Sequence, residues 1–327
     1  MCAAFDVCGV RIAVQADDPR DLDTLRRIIG PFELEAPVET EFTLSIHHVA
    51  EDLAPTPPRG MEEHWRGPLP DGTPAVSFRG PSGWALIVPG LARTCVRGTT
   101  ASLAVAPGAE WCLGLGALLP VLCDFLSRSG HFVVHAASLA CPVGRERRAV
   151  LVSGRSGLGK TTTALALGRA GMQLLSDDAT FLHHSDDGQR VWGLPRPCKV
   201  HRKTVELMPW LEPHCAAAPR AADEFMVDLL SLAGRGALEM AEPGLVLFLE
   251  EHNSQRHRLE PLAKDEAVAR LVNENVRATD PSARGPAGDA FRALAALVGA
   301  CPTWRLSVGP QLASLHDQVV ALLKRRD

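Results

Sequence analysis

Ala149-Val150-Leu151-Val152-Ser153-Gly154-Arg155-Ser156-Gly157-Leu158-Gly159-Lys160-Thr161-Thr162 is the stretch that decides how this chain is read. Four consecutive apolar residues without polar alternation predict a strand buried on both faces. A glycine-rich turn follows, then a helix over residues 161–169 that Gly171 stops. Residues 154–161 fit GxxxxGK[ST] in the strand-to-helix setting that the motif requires. The glycines let backbone N–H groups turn inward around phosphate oxygens, and the helix start adds its positive dipole end. Lys160 is expected at the β- and γ-phosphates and the Thr161 hydroxyl on Mg²⁺. ATP with Mg²⁺ is the expected occupant. Its expected contacts are Gly154, Arg155, Ser156, Gly157, Leu158, Gly159, Lys160, Thr161 and Thr162.

A phosphate loop leaves the reaction open, because motors, transporters, GTPases and kinases share it. The acidic partners narrow the choice. Residues 172–175 read as the next strand, ending in Ser176-Asp177-Asp178. Side chains alternate along a strand, so adjacent aspartates face different ways, and one can hold Mg²⁺ while the other faces an acceptor. Glu250-Glu251, at the end of a buried strand over residues 245–249, is a second candidate for the metal-side acid. Neither the LSGGQ signature of transporter ATPases nor the NKxD base motif of GTPases occurs.

Outward from this core, residues 111–327 read as one ATP-binding domain. It opens with an apolar helix over residues 113–128, bent at Pro120, and a strand Phe132-Val133-Val134 ending at His135. Phe181-Leu182 and Val191-Trp192 flank Asp186-Asp187-Gly188, a hairpin signal. Pro195-Arg196-Pro197-Cys198-Lys199 follows and offers Arg196 or Lys199 as a contact to phosphate or acceptor. Residues 1–110 read as a smaller α+β domain, expected to dock the acceptor. It has a hairpin about Gly9, a helix opened by Pro19 and closed by Gly30, and strands at residues 42–46, 84–88 and 101–105. Residues 51–73, rich in Pro, Gly and charge, read as a loop.

Composition sets the class. The net charge of −4 favours neither nucleic acid nor an anionic membrane as partner. No run of 18 apolar residues occurs, and the first residues lack a basic-then-apolar secretion signal, so a cytoplasmic protein is expected. Nine scattered cysteines, an odd number without a CxxC pair, argue against a disulfide framework or zinc site. His131 and His135 have an i, i+4 spacing, but no further ligand follows at metal-site spacing. Only five basic residues are Lys against 29 Arg, which draws attention to Lys160, Lys199 and Lys203.

Taken in order, His135-Ala136, residues 150–161 and Leu174-Leu175-Ser176-Asp177-Asp178 resemble the catalytic domain of the HPr kinase/phosphorylase family. The resemblance is closer to the HPr-kinase-related proteins, some of which sit in lasso-peptide gene clusters and phosphorylate a peptide; it covers roughly residues 112–325. It implies an α/β, phosphoenolpyruvate-carboxykinase-like phosphate-loop kinase domain with a central mixed sheet. It also implies roles: Asp177 as base toward a serine hydroxyl, Asp178 as the Mg²⁺ acid, and His135 as a strand-end histidine near the γ-phosphate. The chain departs from the family at Thr161-Thr162, where a Ser-Glu pair is usual. Gly234-Arg235-Gly236 is also a poor match to the signature of the reverse, phosphorolytic reaction. The expectation is therefore an ATP-dependent kinase acting on a serine hydroxyl of a peptide or protein, such as a ribosomal precursor peptide. A small-molecule kinase on the same fold and a nucleotide-sensing regulator without turnover are the alternatives, and homo-oligomerisation is open.

Overall fold

Alternation of buried and exposed residues builds the first sheet. Strand β1 (Cys2–Val7) turns through Cys8 and Gly9 into β2 (Val10–Ala16), which buries Val10, Ile12 and Val14 and exposes Arg11 and Gln15. Gly9 sits at φ +91, in the left-handed region that a tight hairpin turn needs. Helix α1 (Pro19–Ile29) has Pro at its start and Asp18 as N-cap, accepting from the Arg20 N–H at 2.8 Å. Its Leu22, Leu25, Ile28 and Ile29 are buried. The helix carries the chain back, so that β3 (Phe42–His48) pairs parallel to β2. A meander follows: β4 (Glu62–Pro68), β5 (Pro74–Gly80), β6 (Gly83–Val88), β7 (Ala92–Arg97) and β8 (Thr100–Val105), with β8 returning to β3. The eight strands lie in the order β1-β2-β3-β8-β7-β6-β5-β4.

Two expectations change here. Residues 51–73 contain a strand: β4 is the exposed edge of the sheet, so its sequence lacks the apolar alternation of a half-buried strand. Helix α2 (Leu118–Arg128) packs with the first sheet, where Phe125 stacks on Phe42 at 4.5 Å and the Trp84 Nε1–H donates to Asp124 at 3.1 Å. Pro120 lies in its first turn, where no backbone N–H is needed.

The computed structural model describes residues 1–36, 38–50, 53–69, 72–113, 117–185, 188–194, 196–217, 223–251, 255–275 and 287–325. The expected turn at Asp186-Asp187 lies outside them, as does Pro195. The chain divides into one unit spanning Met1–His131 and another of Phe132–Val276 with Gly288–Asp327, so the first unit extends past residue 110 to take in α2.

The second unit is mixed α/β with several sheets. Its strands are β9 (His131–Val134), β10 (Ala137–Val143), β11 (Glu146–Ser153), β12 (Gln173–Ser176), β13 (Thr180–Ser185), β14 (Gly188–Gly193), β15 (Cys198–His201), β16 (Cys215–Ala217), β17 (Glu224–Val227), β18 (Glu242–Leu249), β19 (Arg258–Pro261) and β20 (Thr303–Ser307). Its helices are α3 (Lys160–Arg169), α4 (Arg202–Leu207), α5 (Leu229–Ala233), α6 (Lys264–Asn275), α7 (Ala287–Ala300) and α8 (Leu315–Lys324). The central sheet has the order β12-β10-β11-β18-β20-β19; β11, β18 and β20 are mutually parallel neighbours, and the other pairs are antiparallel.

Both faces of this sheet are covered, which is why β11 and β18 read as unbroken apolar runs. On one side Val150, Val152, Leu245 and Leu247 pack with Leu165 and Leu167 of α3 and Val319 and Leu322 of α8. On the other, Ala149, Leu151, Val246 and Phe248 pack with Leu271 of α6, Leu294 and Leu297 of α7, and Leu182 and Val191 of the β13–β14 hairpin. The C-terminal ends of β11 and β18 therefore emerge side by side, with the glycine-rich turn at the first.

Candidate functional site

The turn is built around backbone conformations closed to most side chains. Gly157 lies at φ +86, and Gly159, at φ +92, is the residue from which α3 starts. Lys160 opens the helix and is buried, its Nζ donating to Gly154 O at 2.6 Å and Arg155 O at 3.4 Å. An ammonium enclosed in this way depends on nearby anions. Burial pulls its pKa down, and Glu274, Asp177 and Asp178, in that order, pull it back up.

Asp177 and Asp178 follow β12, as the strand-end reading expects, and their side chains meet different surroundings. Asp177 keeps its Oδ1 buried, without a hydrogen-bond partner among the described residues. Asp178 instead forms an ion pair with the Arg196 guanidinium and keeps 36% of its side chain exposed. The physical reason is local. Strand β12 ends at Ser176, and the two aspartates occupy a bend beyond it, where strand alternation no longer applies. Ser176 fixes this bend, its Oγ accepting from the Ala179 N–H at 3.0 Å and donating to Leu194 O at 3.3 Å.

Other expected residues go elsewhere. Thr162 shares a 3.0 Å hydroxyl–hydroxyl bond with Thr204 of α4, bracing α3 from behind. Lys199 points from β15 to Glu224 at 2.9 Å, so of the Arg196/Lys199 pair only Arg196 reaches the aspartates. Arg155 is exposed and lies 3.7 Å from Glu251, while Glu250 pairs with Arg270 at 2.8 Å. His135 follows β9, with its backbone N–H donating to Asn275 Oδ1 at 2.6 Å. Glu274, beside Asn275, accepts from the Ser153 hydroxyl at 3.0 Å, at the foot of the loop. Sequence reasoning misses Glu274 and Asn275, because they end a helix that carries no motif of its own.

The donor set fits a metal-bound triphosphate. Asp177 Oδ1 is buried with no hydrogen-bond partner, an arrangement that costs free energy unless a proton or cation meets it. Burial first, and then the neighbouring Asp178, raise the Asp177 pKa from its ordinary 3.8 to about 7. The folded chain thus holds this proton more tightly than the unfolded one. In metal-free protein the contribution to stability is full below about pH 4 and is lost as pH rises through about 7. Asp177→Asn, which mimics the protonated acid, should unfold at the same temperature as wild type near about pH 4 and at a higher temperature near about pH 8. Thermal melts at the two pH values check this, and a variant no more stable than wild type at the higher pH contradicts it.

No family model matches the chain, and no curated protein matches it. Among solved structures it is similar to the Hpr(Ser) kinase/phosphatase from Coxiella burnetii, at 15% sequence identity and a TM-score of 0.28. The match covers 59% of this chain and 94% of that one. That protein is a weak structural neighbour. No described helix is long and apolar enough to cross a membrane.

Proposed function

We propose that this chain is an ATP-dependent kinase that phosphorylates a serine hydroxyl of a peptide or protein. The observation that carries the reading is the glycine turn closed on the buried Lys160, whose Nζ donates to Gly154 O at 2.6 Å, together with the buried, unpartnered Oδ1 of Asp177. Bound Mg²⁺ with ATP would supply the phosphoryl group and neutralise charge gathering on its oxygens. Lys160 would hold the β- and γ-phosphates, and Thr161 and Asp177 would hold the metal. Asp178 is the more open of the two carboxylates and takes the other task. It orients the serine hydroxyl and receives its proton as the serine oxygen bonds to phosphorus and the bond to the β–γ bridging oxygen breaks. Arg196 steadies Asp178 through their ion pair. This exchanges the roles that the sequence resemblance implies for the two aspartates. The serine acceptor, and a ribosomal precursor peptide of the lasso kind as its source, are supported by the resemblance of the His135, loop and Asp-pair motifs.

Matched serine and alanine peptides offered with Mg²⁺ and γ-³²P-labelled ATP test the reading. Acid-stable label should appear on the serine peptides and be absent from the alanine ones. ADP formation with label passing only to small hydroxylated metabolites would contradict the peptide acceptor.

A further inference from the structure

Strand β15 is an outer strand of the three-stranded sheet β15-β17-β16. It pairs antiparallel with β17, Cys198 opposite Val227 and Lys199 opposite Met226. The ladder runs one residue beyond the strand, where the Arg202 N–H donates to Asp223 O at 2.9 Å. Arg202 and Asp223 are therefore a hydrogen-bonded pair, and alternation makes Val200–Phe225 and Cys198–Val227 hydrogen-bonded pairs as well. The N–H and C=O groups of Lys199 and His201 consequently point away from β17. Among the described residues no strand lies on that side. Edges are commonly blunted by a bulge, a proline or an outward charge. Strand β15 has an even register and no proline, and Lys199 reaches back to Glu224 of β17 at 2.9 Å. The edge is also joined firmly to the phosphate loop. Cys198 and Val200 are buried in one core with Leu165 and Leu167 of α3. Thr204 of α4, the helix that continues β15, meets Thr162 of α3 at 3.0 Å. Two residues before the strand, Arg196 pairs with Asp178.

We propose that β15 is the docking strand for the acceptor: an extended segment of the substrate peptide adds to its open edge through main-chain hydrogen bonds to Lys199 and His201. The inference rests on the kinase reading of the site. An extended chain advances about 3.3 Å per residue, so a segment paired with Lys199 comes alongside Arg196 and Asp178 about three residues further on. That is where the serine hydroxyl is presented. An added strand is recognised through its main chain, so many side chains are tolerated beside Lys199 and His201. An edge of four residues offers the outward groups of only two. So few hydrogen bonds are too little for a lasting association between folded proteins and suit a substrate that leaves after each turnover. A peptide therefore fits this edge better than a second copy of the chain.

The test uses the full chain with Mg²⁺, γ-³²P-labelled ATP and a synthetic peptide bearing one serine among valine and alanine residues. Its amides are replaced one at a time by esters, each of which removes a single N–H. Two esters, two residues apart on one side of the serine, should each raise the peptide KM about fivefold, the loss of one hydrogen bond. The ester between them should leave KM near that of the parent peptide. On the protein side, Lys199→Pro removes an N–H from the edge and sets a ring against it, and the peptide KM should rise at least about tenfold. Lys199→Ala keeps the N–H and loses only an exposed ion pair, so its peptide KM should rise less than about threefold. Equal losses in Lys199→Pro and Lys199→Ala assign the effect to the ammonium and overturn the proposal. If Lys199→Pro does not fold, the ester scan on the wild-type chain decides. Label on the peptide with every ester tolerated sinks this inference and leaves the kinase reading standing. ADP formed without label on the peptide removes the peptide acceptor together with its docking strand, and ATP recovered intact sinks the kinase reading beneath both.

Discussion

Lys160→Ala loses ATP turnover by about 10³-fold or more while the protein stays folded. Lys160 is the one buried lysine among the described residues, and its ammonium lies in the crook of the glycine turn, on Gly154 O and Arg155 O. The other four lysines are exposed and cannot substitute. Removing this ammonium takes away the charge that offsets the triphosphate. Circular dichroism checks the fold and a coupled ADP assay checks turnover. A folded Lys160→Ala protein that turns over ATP at the wild-type rate contradicts the assignment of the loop.

Asp178→Asn is expected to bind Mg²⁺ and ATP within a few-fold of wild type and to lose phosphoryl transfer by about 10²-fold or more. The substitution keeps the shape and one oxygen beside Arg196 but removes the proton acceptor. Asp177→Asn should behave differently: its buried Oδ1 has no partner among the described residues and is free to take the metal, so the Mg²⁺ concentration needed for half-maximal rate should rise. Titrating Mg²⁺ against rate for the two variants separates the roles. If Asp178→Asn raises the Mg²⁺ requirement and Asp177→Asn loses only transfer, the two aspartates are the reverse of this account.

The loop and the position of the aspartate pair were legible in the sequence because each rests on a local rule. A turn that bends into the left-handed region at Gly157 and Gly159 selects glycine, and a strand covered on both faces reads as an apolar run. Which way each aspartate faces was not legible, since β12 ends at Ser176 and the pair lies in the bend beyond it. Arg196 and Lys199 show the same limit three residues apart. Lys199 falls inside β15, where Cys198 and Val200 are buried and Lys199 and His201 point out, while Arg196 precedes the strand and turns to Asp178. Glu274 and Asn275 were invisible because α6 packing alone brings them to a loop more than a hundred residues away in sequence. Strand β10 (Ala137–Val143) passed unnoticed between two better signals; its small residues and Pro142 weaken any strand pattern. The apolar face of α2 announced burial, but nothing in it named Phe42 and Trp84 as its neighbours.

On the proposed function, residues 154–161 hold a triphosphate whose γ-phosphoryl group then leaves. A single-turnover experiment with excess protein, Mg²⁺ and γ-³²P-labelled ATP, quenched over time and resolved into ATP, ADP and labelled acceptor, tests it most directly. ADP formation should require Mg²⁺ and disappear in Lys160→Ala. ATP that binds the wild-type chain and is recovered intact after prolonged incubation with a serine peptide would contradict it and leave a nucleotide sensor in its place.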